Sequence, residues 1–155
     1  MKSADQGIIF RHTNLIARDW RRLADFYIRV FGCRLVPPER DLSGKWLTSA
    51  TGIDNAHMRG VHLLLPGHGE RGPTLEIFQY DKNVEAAVPA ANREGFCHIA
   101  FEVTDVEKIL ALVEEEGGNC LGEMVQNNVP GVGHLTFVYA MDPEGNIIEL
   151  QNWQK

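Results

Sequence analysis

Two stretches of this chain, RHTNLIARDWRRLADFYIRVFG from Arg11 to Gly32 and CHIAFEVTDVEKILALVEEEGG from Cys97 to Gly118, follow one plan. His12 and His98, Asp19 and Asp105, and Gly32 and Gly118 are each 86 positions apart, so the two copies align without a gap. A duplication constrains the fold more than any single motif, because each copy must be a supersecondary unit that buries its apolar face against others. Within a copy the plan is strand, aspartate, helix, glycine.

Each part has a local physical reason. Asp19 and Asp105 stand where a carboxylate accepts the free N–H groups of a first helical turn, so both are expected as helix N-caps. Leu23, Phe26, Tyr27 and Val30, and in the second copy Val106, Ile109, Leu110 and Val113, recur at three and four residues and predict amphipathic helices. Gly32 and the Gly117-Gly118 pair supply the positive backbone angle that ends a helix. Strand-like segments follow: CRLVPPE, GVHLLLPG and TLEIFQY in the first half, and LGEMVQ, HLTFVYAM and NIIELQNW in the second. DPEGN, from Asp142 to Asn146, marks a hairpin turn between the last two. The expected fold class is therefore α+β: two tandem βαβββ modules forming a curved mixed sheet with helices on its outer face. The 155 residues make one domain, with module 1 at about 8–80, a linker at about 81–94 and module 2 at about 95–153.

With 44% of residues in the hydrophobic set, a chain of this length folds without a disulfide or structural metal, so any metal serves chemistry. Fifteen basic against 21 acidic residues, net charge -6, and no basic cluster argue against nucleic acid as a partner. Cys33, Cys97 and Cys120 lack CxxC spacing and are expected as buried free thiols in a reducing compartment. The opening stretch MKSADQGIIFRHTN has no signal-peptide core and no run reaches membrane-spanning length, so a cytoplasmic protein without a membrane partner is expected. Gly67, Gly69 and Gly72 match GxGxxG, but Pro73 and a strand follow where a dinucleotide site needs a helix N-terminus; this is a hairpin loop.

Strand alternation decides which side chains meet. Thr13, Leu15 and Ala17 oppose His12, Asn14 and Ile16, while Ile99, Phe101 and Val103 oppose His98. Leu75 and Ile77 alternate with Glu76 and Phe78, and Ile148 and Leu150 alternate with Glu149. Each module thus places one His and one Glu on its helix-free face. Read alone, each is an ordinary wall or surface residue. Repeated with the same parity in strands as apolar as LEIF and IIEL, the two carboxylates are costly to bury without a cation. His12, Glu76, His98 and Glu149 are therefore the candidate ligands of one divalent metal ion; two imidazoles and two carboxylates balance its charge, and an octahedral shell leaves two positions open. Nickel, zinc, cobalt, manganese and iron all suit such a set. His57, His62, His68 and His134 have no repeat partner and read as surface or pocket residues.

HTNLIARDWRRLADFYIRVFGCRLV, GFCHIAFEVTDVE and DPEGNIIELQN together resemble the vicinal oxygen chelate superfamily, which includes glyoxalase I, methylmalonyl-CoA epimerase, extradiol dioxygenases and bleomycin resistance proteins. The resemblance covers nearly the whole chain and places His12, Glu76, His98 and Glu149 on the family's metal-ligand positions. It implies a metal-dependent lyase or isomerase of glyoxalase I type, in which a proton moves next to a carbonyl through a metal-stabilised enediolate. Glu149 and Glu76 are then the catalytic carboxylates, the substrate is a small molecule such as a glutathione or CoA thio-conjugate, and the protein is a homodimer. One departure is IFQYDKN after Glu76, where glyoxalase I has a THNWG-like segment. The longer stretch from Ser43 to Gly60 is expected to cover the cavity, with Asn14, Trp46, Ile53, Met58 and Phe78 as pocket residues. The alternatives are an Fe(II) extradiol-type dioxygenase using His12, His98 and Glu149, and a non-catalytic binding or resistance protein.

Overall fold

The computed structural model describes residues 7–155; the first six, which enter the reading of the N-terminal stretch, lie outside the described residues. The chain divides into two compact units, the first running to Ala24 and continuing over Gly32–Asn83, the second comprising Asp25–Phe31 and Val84–Lys155.

In the first unit, strands β1 (His12–Ile16), β2 (Arg34–Ser43), β3 (His57–Leu64) and β4 (Thr74–Tyr80) form a sheet in the order β1-β4-β3-β2. β1 runs parallel to β4, and the other neighbours are antiparallel. Val61, Leu63, Leu75 and Ile77 are buried on one face, as their alternation requires. Helix α1 (Trp20–Phe31) begins where the backbone N–H of Arg22 donates to Asp19 Oδ1 at 3.1 Å, and Gly32 follows it at φ +67°. Its buried residues Trp20, Leu23, Ala24, Phe26, Tyr27 and Val30 repeat at helical spacing.

In the second unit, β5 (His98–Glu102), β6 (Asn119–Cys120), β7 (Val125–Val129), β8 (Gly133–Met141) and β9 (Ile147–Gln154) form a second sheet, ordered β5-β9-β8-β6 with β7 also on β8. Helix α3 (Val106–Glu115) is capped by Asp105, whose side chain accepts from the Lys108 N–H at 2.9 Å. The later half of α1 belongs to this unit: Phe31 stacks on Phe101 with ring centroids 4.0 Å apart, and the Tyr27 hydroxyl donates to Asp142 at 3.0 Å. Gly118 is required sterically, since a Cβ there would stand 2.3 Å from the Met141 carbonyl oxygen.

The fold is the expected α+β arrangement of two modules, with hydrogen bonding dividing its strands between two mixed sheets. Three local readings change. The segment from Ser43 to Gly60 contains a short helix, α2 (Lys45–Thr51), closed by Gly52 in the left-handed conformation. LGEMVQ is not one strand: the Leu121 and Gly122 N–H groups both turn onto the Tyr139 carbonyl, separating β6 from β7. The three cysteines are free, but only Cys33 is buried, because Cys97 and Cys120 sit at strand ends and are half-exposed. Among the described residues no helix is long and apolar enough to cross a membrane.

Candidate functional site

The two sheets repeat one local geometry. In the first, β1 runs parallel to β4 so that His12 pairs with Thr74, two residues before Glu76. In the second, His98 pairs with Ile147, two residues before Glu149. A same-face offset of two residues brings the histidine diagonally onto the glutamate. His12 Nδ1 lies 3.4 Å from Glu76 Oε1, and His98 Nε2 lies 3.2 Å from Glu149 Oε2. The side chains of Glu76 and Glu149 are only 13% and 16% exposed, so each carboxylate depends on its partners for charge compensation.

The register also brings in residues that sequence reasoning set aside. His62 stands directly opposite Glu76 on β3, with Nε2 3.2 Å from Oε1, so of the surface and pocket alternatives it takes the second, in the same cluster as His12. Asn14 donates through Nδ2 to the other carboxylate oxygen at 3.3 Å. The position equivalent to His62 in the second unit is Tyr139, opposite Glu149 on β8 and 5.1 Å from His98 between ring centroids. Burial lowers the pKa of His62, with the charges of Arg40 and His12 acting the same way and Glu76 opposing them. Burial raises that of Tyr139, helped by the negative charge of Glu149 and its hydrogen bond. A repeat search misses His62 and Tyr139 because the two modules use different residues there. The detectable signal was parity, since a polar side chain in GVHLLL shares a face with Glu76 only if the hairpin register is known.

Among the expected pocket residues, Asn14 is in the cluster and Met58 lies on its face, opposite Tyr80. Phe78 is buried, its ring edge-on to His62 at 5.8 Å and packed where Gly60 leaves room. Trp46 on α2 and Ile53 after it are 58% and 42% exposed.

Adjacent donors on one divalent ion sit about 3 Å apart when each bond is about 2.1 Å. The two His–Glu separations approach that spacing, and neutral imidazole with carboxylate is a suitable donor chemistry. Among the described residues no group of three or more His, Cys, Asp or Glu side chains is arranged to hold a metal; His12 and His62 instead approach the same oxygen of Glu76. Each unit therefore offers a pair of donors suited to such an ion.

A profile of the Glyoxalase/Bleomycin resistance protein/Dioxygenase superfamily matches residues 9–150. No curated protein matches the chain. Among solved structures, a glyoxalase family protein from Bacillus cereus is similar with a TM-score of 0.81 at 16% identity, covering 99% of each chain. A glyoxalase family protein from Enterococcus faecalis gives 0.58 at 23% identity, over 92% of this chain and 96% of that one. A genomically encoded fosfomycin resistance protein, FosX, from Listeria monocytogenes gives 0.60 at 15% identity, over 95% and 94%. At these identities the structural likeness speaks to the fold.

Proposed function

Because the chain belongs to the Glyoxalase/Bleomycin resistance protein/Dioxygenase superfamily, we propose that it is a divalent-metal-dependent lyase or isomerase that moves a proton next to a carbonyl of a small-molecule substrate. The observation that carries this reading is the repeated pair, His12 with Glu76 and His98 with Glu149, the glutamates alternating with the buried Leu75, Ile77, Ile148 and Leu150. These four residues are the proposed ligands, and members of the superfamily typically use a divalent metal. Such an ion, when bound, polarises a substrate oxygen and makes the neighbouring C–H more acidic. Glu149 is the base that takes the proton and Glu76 its counterpart in returning it to the neighbouring carbon, each held near its histidine. Asn14 orients Glu76 through its amide, and Tyr139 stands directly across from Glu149 on β8. Trp46, Ile53, Met58 and Phe78 supply the apolar wall for a thio-conjugate of glutathione or coenzyme A.

Elemental mass spectrometry of tag-free protein beside a His12→Ala, His98→Ala variant tests the ligand set. About one divalent ion per site, lost in the variant, supports it; a wild type that refuses nickel, zinc, cobalt, manganese and iron overturns it. Full turnover in both Glu76→Gln and Glu149→Gln proteins that keep their metal would exclude the carboxylate bases.

One observation favours a second reading, an Fe(II) extradiol-type dioxygenase with His12, His98 and Glu149 on the metal. Glu76 is already engaged by His12 and His62 at one oxygen and Asn14 at the other. Iron in the metal assay, with oxygen consumption on a catechol, would select it.

Superfamily members often form dimers, and a homodimer is part of the proposal; the exposed apolar run Ile8, Ile9 and Phe10 is the kind of surface a second copy covers. The free thiols Cys33, Cys97 and Cys120 fit the proposed cytoplasmic setting.

A further inference from the structure

The helix-free side of the first sheet can be laid out in rows from its strand register. His62 on β3, Glu76 on β4 and Asn14 on β1 form one row, with Val36 at the β2 end. The next row is Arg40 on β2, Gly60 on β3, Phe78 on β4 and Ile16 on β1. The pairing of β2 shifts by two residues between Val36 and Arg40, which keeps Arg40 on the face of Val36 and sets it in the row beside the candidate site. Its neighbour in the row, Gly60, has no side chain, and Phe78 lies flat against the backbone there, since a Cβ would stand 2.7 Å from the Phe78 ring.

Arg40 differs from the other arginines that have side-chain partners. Arg21, Arg29, Arg34 and Arg59 each pair with a carboxylate on the surface. Arg40 is half-buried, and among the described residues its guanidinium bonds only the Pro38 carbonyl. The nearest carboxylate in the row layout, Glu76, is occupied by His12, His62 and Asn14. A guanidinium has five donors in a planar fork, and one carbonyl leaves most of them available. With strands about 4.8 Å apart and a rise of about 3.4 Å per residue, Arg40 and Glu76 are about 12 Å apart at Cα. The long Arg40 side chain can lean along this face, so the span left to a substrate beside Glu76 is that of a short carbon fragment.

We propose that Arg40 is a specificity-determining residue that binds an oxyanion, a carboxylate or a phosphoryl-type group, on a substrate whose reacting carbonyl lies beside Glu76. The inference rests on the proposed function for the position of the carbonyl, and on the sheet register for the position of the anion. The substrate is then a carbonyl compound, free or thio-conjugated, that carries a carboxylate or phosphoryl-type group a few carbons from the reacting carbonyl. A neutral carbonyl would leave Arg40 without a counter-charge.

The test uses levulinate, which has a carbonyl and a carboxylate separated by two methylenes, and its neutral methyl ester. Both are titrated into wild-type protein and followed by 1H–15N spectra, with and without zinc, and metal content is measured on the same samples. Charge-assisted pairing predicts that levulinate binds about tenfold more tightly than the ester. The preference should vanish in Arg40→Met and in Arg40→Gln, and return in part in Arg40→Lys, with thermal melts confirming that each variant is folded. A preference that survives both neutral variants, or equal or absent binding of the two probes, overturns the assignment. Zinc bound at full stoichiometry with no Arg40-dependent preference defeats this inference alone. Refusal of nickel, zinc, cobalt, manganese and iron with the preference intact defeats the metal reading and leaves the anion site standing.

Discussion

Asp142 is the buried acid at the corner between β8 and β9, 2% exposed, and replacing it tests how the second unit holds Glu149 in place. Its carboxylate accepts from the Glu144 N–H at 2.9 Å, the Asn146 N–H at 3.0 Å, Asn146 Nδ2 at 2.8 Å and the Tyr27 hydroxyl at 3.0 Å. In Asp142→Ala the fully buried Tyr27 hydroxyl loses this acceptor, at a cost of about 1–3 kcal/mol. The three turn donors are half-exposed, so water replaces part of what they lose and each adds about 0.5–1 kcal/mol. Removing a desolvated carboxylate returns some of this, and the net expectation is about 3 kcal/mol, or roughly 6–12 °C in Tm for a chain of this size. Tyr27→Phe alone should cost about 1–2 kcal/mol, and much less in the Asp142→Ala background. Urea unfolding of the four proteins in the cycle measures both quantities. A loss below about 1 kcal/mol in Asp142→Ala, or the same Tyr27→Phe cost in both backgrounds, would refute the view that this carboxylate organises the corner. There is also a pH signature. Burial raises the Asp142 pKa above 3.8, so the folded protein holds that proton more tightly than the unfolded chain. The resulting stabilisation is complete below 3.8 and fades as pH rises through the folded value, so the stability of wild type relative to Asp142→Asn should fall over that range.

Gly60→Ala should destabilise by at least about 3 kcal/mol, because the new methyl would stand 2.0 Å from the Ile77 carbonyl oxygen in the middle of the first sheet; a Tm within 2 °C of wild type, read by circular dichroism, would contradict that geometry. His57, held between Asp41 at 2.7 Å and Asp81 at 2.9 Å, should titrate above 6.5 by NMR. Its stabilising effect is complete below 6.5 and lost as pH rises through the folded value, and Asp41→Asn should bring the titration back down. Burial pushes the Cys33 thiol up to about 11, so at pH 8 its thiolate fraction is about a hundredfold below that of a thiol at 9.0. Iodoacetamide should label Cys33 far faster in urea than in the folded protein, and equal rates would place it at the surface.

Much of the architecture was legible in the amino-acid order, since the signals are local. Asp19 and Asp105 cap helices because a carboxylate before a first turn meets free N–H groups, whatever lies further away. DPEGN turns for the same reason, and the PGHGERGP segment connects two antiparallel strands as its Pro and Gly content suggests. The short helix α2 escaped because KWLTSAT is too brief to show a period. The break between β6 and β7 escaped because it depends on two N–H groups turning to a carbonyl on another strand.

The site divides along the same line. Strand parity is intrinsic to an extended backbone, so the sequence by itself determined that His12 and His98 share a face with Asn14 and Ala100, and that Glu76 and Glu149 point away from the apolar set. Which residues stand across from those glutamates depends on sheet register, and register is decided by long-range pairing. Only the tertiary structure put His62 opposite Glu76, Tyr139 opposite Glu149, and Arg40 in the neighbouring row after the irregularity in β2. A shift of one residue in any of those pairings would turn the side chains to the opposite face while leaving the sequence pattern unchanged.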